Sequence, residues 1–345
     1  MKIAQVAPLY ESVPPKLYGG TERVVSYLTE ELVRMGHEVT LFASGDSKTS
    51  AKLVSGSDEA LRLSRQHHDP LALHYAMIAQ VLDCADRFDL IHFHTDYLHF
   101  PFFRAKNAFH LTTLHGRLDL PDLIPLYRQF GDMPVVSISG AQRVPLPWLN
   151  WKGTVHHGLP RDLLEFHPNP GRYLAFLGRV SPEKGLERAI EIAERFAMPL
   201  KVAAKVDKED QEYFEEEIEQ LLRRPNVEFV GEIQEKDKGD FLGGAYALLF
   251  PINWPEPFGL VMIEAMACGT PVIACPHGSV PEVVQHGVTG FWIRNIDDGV
   301  QALSQIPLLS RRRVRDHFVE FFSASRMAED YLLLYDELQV DKDAA

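Results

Sequence analysis

A chain of 345 residues is longer than a single hydrophobic core usually supports, so two domains are expected. Its 46% hydrophobic and 24% charged content is that of an ordinary soluble globular protein. A formal net charge of −13 argues against nucleic acid as a main partner and against broad adhesion to anionic membrane. Residues 1–160 are close to charge balance, so an acidic or membrane-bound partner would meet the first half. Cys84, Cys268 and Cys275 lack metal-type spacing; they suit a reducing compartment, with buried structural thiols as their expected role. No apolar run approaches the roughly 18 residues of a transmembrane helix, and the N-terminal apolar run is too short for a signal peptide. The chain is expected in the cytoplasm, with nothing to support a peripheral membrane contact.

In chain order, residues 2–7 read as a buried strand, 8–20 as a loop broken by Pro14, Pro15, Gly19 and Gly20, and 21–35 as an amphipathic helix. Val24, Leu28 and Leu32 recur at helical spacing, and Val25 and Val33 widen the apolar face. Gly36 ends this helix and 37–43 give a second strand. Such a βαβ unit demands a parallel sheet and puts its first loop at the carboxyl edge, where α/β proteins bind ligands. Gly19 and Gly20 before Thr21 can offer backbone N–H groups to a phosphate or an acceptor, a simple tight turn being the plain alternative. There is no G-x-G-x-x-G, which disfavours a nicotinamide-dependent dehydrogenase. Residues 67–84 read as a helix beginning at His67, and 89–94 as a short strand. The strand 108–114 runs into His115-Gly116, well placed to face a cleft, although among 15 histidines any one is more often structural. A strand at 135–139, a polar Pro-interrupted stretch at 140–150 and a strand with a turn at 154–160 complete the first half.

The second half restarts the pattern. Strands are expected at 173–177, 200–204, 227–230, 247–251, 272–275 and 291–293, and helices at 186–196, 209–224, 238–244, 260–268 and 280–285. The tail 311–338 reads as one helix with Met327, Tyr331 and Leu334 along one side, long enough to cross back and brace the first domain.

Two loops carry the chemistry. Residues 177–185, Leu-Gly-Arg-Val-Ser-Pro-Glu-Lys-Gly, set Arg179 and Lys184 between a buried strand and a helix start. There both cations and the helix end can converge on a diphosphate, Arg as a bidentate fork and Lys as a mobile point charge. A loop with two solvated cations is the plain alternative. Residues 255–264, Pro-Glu-Pro-Phe-Gly-Leu-Val-Met-Ile-Glu, set Glu256 in a Pro-bounded loop and Glu264 eight residues on, inside a helix. Gly259 lets the backbone approach a ligand, and the free N–H groups of the helix start favour partial negative charge. Glu264 can project from the same end toward a hydroxyl-rich ligand, against the alternative of two solvated glutamates on a capped surface helix. Together these residues suit glycosyl transfer from a sugar nucleotide, with cations and helix dipole neutralising the developing charge so that no metal is needed. The only D-x-D, Asp341-Lys342-Asp343, lies in the tail, a poor place for a metal-diphosphate clamp.

Gly19-Gly20-Thr21-Glu22, the two loops just described, Ala-Met-Ala-Cys-Gly-Thr-Pro at 265–271 and the segment 281–290 resemble, in order and over essentially the whole chain, the retaining family-4 glycosyltransferases of GT-B fold. That resemblance implies an α/β protein of two Rossmann-like domains facing across a cleft. Residues 1–160 would serve mostly the acceptor and 161–322 mostly the sugar nucleotide; a C-terminal helix at 323–340 would pack back on the first domain, and a tail at 341–345 would be disordered. By position it implies Arg179 and Lys184 on the diphosphate, Glu256 on donor-sugar hydroxyls with the N–H groups of Phe258, Gly259 and Leu260, and Glu264 on the ribose. It further implies Gly19 and Gly20 beside the phosphates and acceptor, His115 near the transferred sugar, and Lys205, Glu232 and Ile233 beside the base. Ser279 joins the donor-binding set and Glu282 is a weaker match. His156-His157-Gly158 stands where many relatives have Asn-Gly, and the compact chain implies short acceptor loops.

The reaction implied moves a hexose from a UDP-, GDP- or ADP-type donor to a sugar, lipid or small-molecule hydroxyl. It keeps the α configuration by front-face attack and uses no cofactor. Glu256 as the nucleophile of a double displacement is an alternative mechanism. A GT-B epimerase or hydrolase, and a catalytically silent sugar-nucleotide binder, are alternative functions; intact Arg179, Lys184, Glu256 and Glu264 speak against the silent one.

Overall fold

The computed structural model describes every residue except Leu17, Tyr18, Leu63, residues 65–68 and Ala345, and the backbone but not the side chains of 341–344. The expected helix start at His67 and the expected disordered tail at 341–345 fall wholly or partly outside the described residues. The chain forms two compact units, Met1–Pro160 with Ala324–Ala345, and Arg161–Ser323.

The first unit runs β1 (Lys2–Val6), α1 (Gly20–Arg34), β2 (Glu38–Ser44), β3 (Lys52–Ser57), α2 (Pro70–Asp83), β4 (Leu90–Phe93), α3 (Phe100–Lys106), β5 (His110–Thr113), α4 (Leu123–Gln129), β6 (Val135–Ser137) and β7 (Trp151–Thr154). Its strands pair in parallel in the order β3-β2-β1-β4-β5-β6-β7. Because helices cover both faces of such a sheet, the central strands are apolar nearly throughout: Ile3, Ala4 and Val6 on β1 and Leu90, Ile91 and Phe93 on β4 are buried. On α1 the apolar stripe faces inward as its spacing dictates, with Val24, Val25, Leu28 and Leu32 buried. Sequence reading missed β3, α3 and α4. In β3, Ser55 and Gly56 interrupt an edge strand, and the Phe-Pro-Phe-Phe start of α3 is apolar with no 3.6-residue period.

The second unit runs β8 (Leu174–Arg179), α5 (Leu186–Arg195), β9 (Leu200–Lys205), α6 (Gln211–Tyr213), α7 (Glu219–Leu222), β10 (Val227–Gly231), α8 (Glu235–Gly243), β11 (Ala247–Phe250), α9 (Leu260–Ala267), β12 (Val272–Ala274), α10 (Val280–Val283), β13 (Gly290–Trp292), α11 (Ile296–Gln305) and α12 (Arg311–Phe321). Its parallel order is β10-β9-β8-β11-β12-β13. The single acidic helix expected at 209–224 is instead interrupted by a π-helical turn, Phe214–Ile218, which carries three exposed glutamates and ends on the fully buried Ile218.

The tail expected as one helix is two: α12, and α13 (Ala324–Ala344), which belongs to the first unit. The break falls at the buried pair Phe322 and Ser323, where the chain passes from one unit to the other. The Ala324 N–H donates to the Leu159 carbonyl at 2.8 Å, and α13 packs on α1. It buries Met327, Tyr331 and Tyr335 completely, and lays Leu334 on Gly153, where a Cβ would come within 2.9 Å of that side chain.

In both sheets the strand order reverses beside the unit's first strand, between β1 and β4 and between β8 and β11. The loops leaving the carboxyl ends of those strands flank a crevice of the kind in which open α/β sheets bind ligands.

Candidate active site

In the second unit the loops after β8 and β11 are tied together across the switch point. The Asn253 N–H donates to the Glu183 carbonyl at 2.8 Å, the Lys184 ammonium donates to the Glu256 carboxylate, and Lys184 Nζ sits 5.0 Å from the Trp254 ring centroid. With side chains only 17% and 11% exposed, Lys184 and Glu256 are largely withdrawn from water, so loss of either leaves the other an uncompensated charge. The turn after Lys184 passes through Gly185 at φ 68°, where a Cβ would lie 2.3 Å from the Pro251 carbonyl oxygen. Beneath Glu256 runs the 278–279 turn. The Ser279 N–H donates to the Glu256 carbonyl at 2.9 Å and its hydroxyl donates to the Phe258 carbonyl at 2.8 Å. Ser279 is fully buried, and its hydroxyl braces this loop beneath Glu256.

Arg179 closes β8 among three carboxylates, Glu183 at 3.1 Å, Asp210 at 3.5 Å and Asp207 at 3.6 Å. Lys205, at the end of β9, holds Asp207 at 2.8 Å. Partial burial works against the Asp207 carboxylate, but Lys205 and Arg179 together keep its carboxyl below the usual range. Arg179 is therefore no solvated cation; an incoming diphosphate would exchange places with these carboxylates. Glu264 is 3% exposed and accepts from Lys238 of α8 at 2.6 Å, while Lys238 also pairs with Glu235 at 3.1 Å. Neither glutamate of the 256–264 segment is a solvated surface group. The helix between them, α9, begins after Gly259 at φ 77°, with no side chain capping its first turn. Glu232 and Ile233 lie in the turn between β10 and α8.

In the first unit Gly19 precedes α1 and Gly20 opens it, again with no side-chain cap; a Cβ at Gly19 would come 2.8 Å from Pro15. His115 follows β5 in a loop clamped by Gln142, whose amide donates to the carbonyls of Leu114 (2.9 Å) and Gly116 (2.8 Å). From the other side the carboxylate of Asp96, at φ 49°, accepts the His115 backbone N–H. Its ring contacts His94, Nδ1 of His94 to Nε2 of His115 at 2.8 Å, and stacks on His157 with centroids 5.2 Å apart. Burial pushes His115 down to about 3 and holds His92, His94 and His157 well below the ordinary imidazole value. His157, where the motif departs from Asn-Gly, is thus the packing partner of His115, and Arg326 of α13 donates to the carbonyls of His156 (2.6 Å) and His157 (3.2 Å). Sequence reading missed Asp207, Lys238, Asp96, Gln142 and His94. The pairing of Lys238 with Glu264 and of Gln142 with the His115 loop joins segments distant in the chain, and no local spacing signals it.

Two parallel-sheet units, one of which gathers cations, carboxylates and an uncapped helix start at its switch point, define an α/β enzyme suited to a phosphorylated ligand. Residues 165–320 match the family of glycosyl transferases group 1, and residues 18–152 match glycosyltransferase family 4; the chain belongs to these GT-B glycosyltransferases. It is 26% identical over 343 residues to an uncharacterised glycosyltransferase of Methanocaldococcus jannaschii, with 85% of each chain covered. Its fold is similar to that of a sucrose-phosphate synthase from Thermosynechococcus elongatus (TM-score 0.77, 19% identity, 99% of this chain and 100% of that one). It is also similar to the Anabaena protein HepE in complex with UDP and glucose (TM-score 0.72, 19% identity, 98% and 100%). Among the described residues no helix is long and apolar enough to cross a membrane.

Proposed function

We propose that this glycosyltransferase moves a hexose from a nucleoside diphosphate sugar to an acceptor hydroxyl with retention of the α configuration and without a metal ion. The observation that carries the reading is the Lys184–Glu256 pair at the switch point of the second sheet, with Arg179 on the same strand end. In this reading Glu256 and the N–H groups of Phe258, Gly259 and Leu260, which lead into α9, orient the sugar hydroxyls. Glu264 takes the ribose, and Lys205, Glu232 and Ile233 adjoin the base. Gly19 and Gly20 serve the phosphates and acceptor, and His115 meets the transferred sugar.

The acceptor oxygen bonds to the anomeric carbon on the face from which the diphosphate departs. The C1–O bond breaks with its electron pair passing to the diphosphate, and the acceptor proton moves to the departing phosphate oxygen. Arg179 and Lys184 offset the charge that develops there, the task a metal performs elsewhere. Preformed carboxylate partners favour this assignment, since they hold both cations in place before any ligand arrives.

A thermal-shift screen with UDP-, GDP-, ADP- and TDP-glucose identifies the donor, because a saturating ligand raises the melting temperature according to its affinity. UDP, the nucleotide named for the HepE complex, is the first to try. Turnover with the selected donor and an acceptor panel should give an α-linked product by NMR and be unchanged by EDTA. A β-linked product, or hydrolysis equally fast with and without acceptor, overturns the reading.

A further inference from the structure

The proton arrangement on His115 follows from a chain of hydrogen bonds that reaches back to β1. Gln5 Oε1 lies 2.7 Å from His94 Nε2, and Gln5 Nε2 donates to the Tyr335 hydroxyl at 3.3 Å. Facing a carbonyl oxygen, His94 Nε2 must carry the hydrogen. A neutral imidazole has one N–H, so Nδ1 of His94 is bare and accepts from Nε2–H of His115 at 2.8 Å. Nδ1 of His115 is then a bare acceptor, enclosed and with no hydrogen-bond partner among the described residues. Turning the Gln5 amide over would reverse each of these bonds and leave a buried N–H on His115 without an acceptor. An orphaned buried donor is the rarer outcome in proteins. At the next residue the backbone is open: a Cβ at Gly116 would meet nothing within 4 Å.

We infer that Gln5 and His94 are positioning residues that hold His115 as the neutral Nε2–H tautomer and reserve its Nδ1 for a hydrogen-bond donor on the transferred sugar. The inference rests on the proposed contact between His115 and that sugar. It makes the site selective for a sugar that offers a hydroxyl there and against one that offers a carboxylate, which has no proton to give. The side chains that meet the two rings are Gln5 from β1, His92 on β4 and His157 after β7, and Gln5 is held in turn by Tyr335 from α13. The carboxylate at hand, Asp96, accepts the His115 backbone N–H rather than a ring N–H, and burial holds His115 down to about 3.

The test is histidine ¹⁵N NMR on the full chain, with His115 assigned by comparison with His115→Ala. At neutral pH both His94 and His115 should be protonated at Nε2 alone. Gln5→Glu puts an acceptor-only anion against His94, draws a second proton onto it, and so drives the His115 proton to Nδ1. The same variant should lower the kcat/KM ratio for UDP-glucose over UDP-glucuronate on the order of 10-fold. An Nδ1–H or cationic His115 in the wild-type spectrum overturns the inference, as does an unchanged tautomer in a folded Gln5→Glu. Should that variant not fold, the wild-type spectrum still decides. If the tautomers are as stated but His115→Ala turns over UDP-glucose normally, the relay stands and the sugar contact is what fails.

Discussion

In the proposed reaction, removing the Lys184 ammonium takes away one of the two cations set against the departing diphosphate, and it leaves Glu256 without its Lys184 partner. Lys184→Ala should lower kcat on the order of 100-fold with the fold intact, as loss of one preorganised stabiliser does elsewhere; steady-state kinetics and circular dichroism decide it, and near-normal turnover sinks the assignment. The two glutamates should separate kinetically. Glu256→Gln, at the residue proposed to hold the reacting sugar, should act mainly on kcat, whereas Glu264→Gln, at the residue proposed for the ribose, should act mainly on the KM for donor. Equal effects on kcat would remove the division of labour. At this scale Arg179, Lys184, Glu256 and Glu264 were legible in sequence because each lies in a short Gly- and Pro-marked loop or helix start. Their partners were not, since Asp207, Lys238 and Trp254 become neighbours only when β9, α8 and the loop after β11 come together.

The element that aims Glu256 is the turn at 278–279. Gly278 takes φ 59°, and a Cβ there would stand 2.3 Å from the Glu256 carbonyl oxygen and 2.4 Å from its nitrogen. Both obstacles are backbone and neither can step aside, so Gly278→Ala must displace the Glu256 loop. Donor turnover should fall at least as far as in Glu256→Gln, with a stability loss of about 1–3 kcal/mol by urea unfolding. Wild-type kinetics in this variant would show that the brace is dispensable. The long, strongly periodic α1 and the apolar strands β1, β4, β8 and β11 were legible because burial on one stripe or on both faces writes itself into composition. The π-turn at Phe214–Ile218 and the break at Phe322–Ser323 were not, because each answers to a packing demand from outside its own segment.

For the whole molecule, a set of buried histidines in the first unit is held neutral. Burial lowers His74, His92, His94, His99, His110, His115 and His157, His110 to about 4 and His115 to about 3. Each takes up a proton more readily unfolded, where an imidazole titrates near ~6.5. The stability they permit is therefore complete above that value and is lost as pH falls toward the folded values. Every such histidine steepens the loss by about 1.4 kcal/mol per pH unit. Since a domain's stability is only about 5–15 kcal/mol, the first unit should unfold between pH 6 and pH 4, ahead of the second. Tryptophan and circular-dichroism pH titrations, with hydrogen exchange to tell the units apart, would show it; a first unit intact at pH 4 contradicts the prediction.

What the sequence by itself determined is the chemistry-bearing loops, the alternation of strand and helix, and hence two parallel-sheet units: these are local patterns of backbone permission and burial. Tertiary structure alone decided how the charges are partnered. It set Lys184 against Glu256, Lys238 against Glu264 and Arg179 among three carboxylates, and it joined Gln5, His94 and His115 in one hydrogen-bonded line. The physical reason is that electrostatic and hydrogen-bond partnerships depend on distance in space, which adjacent strands and packed helices set between residues far apart in the chain.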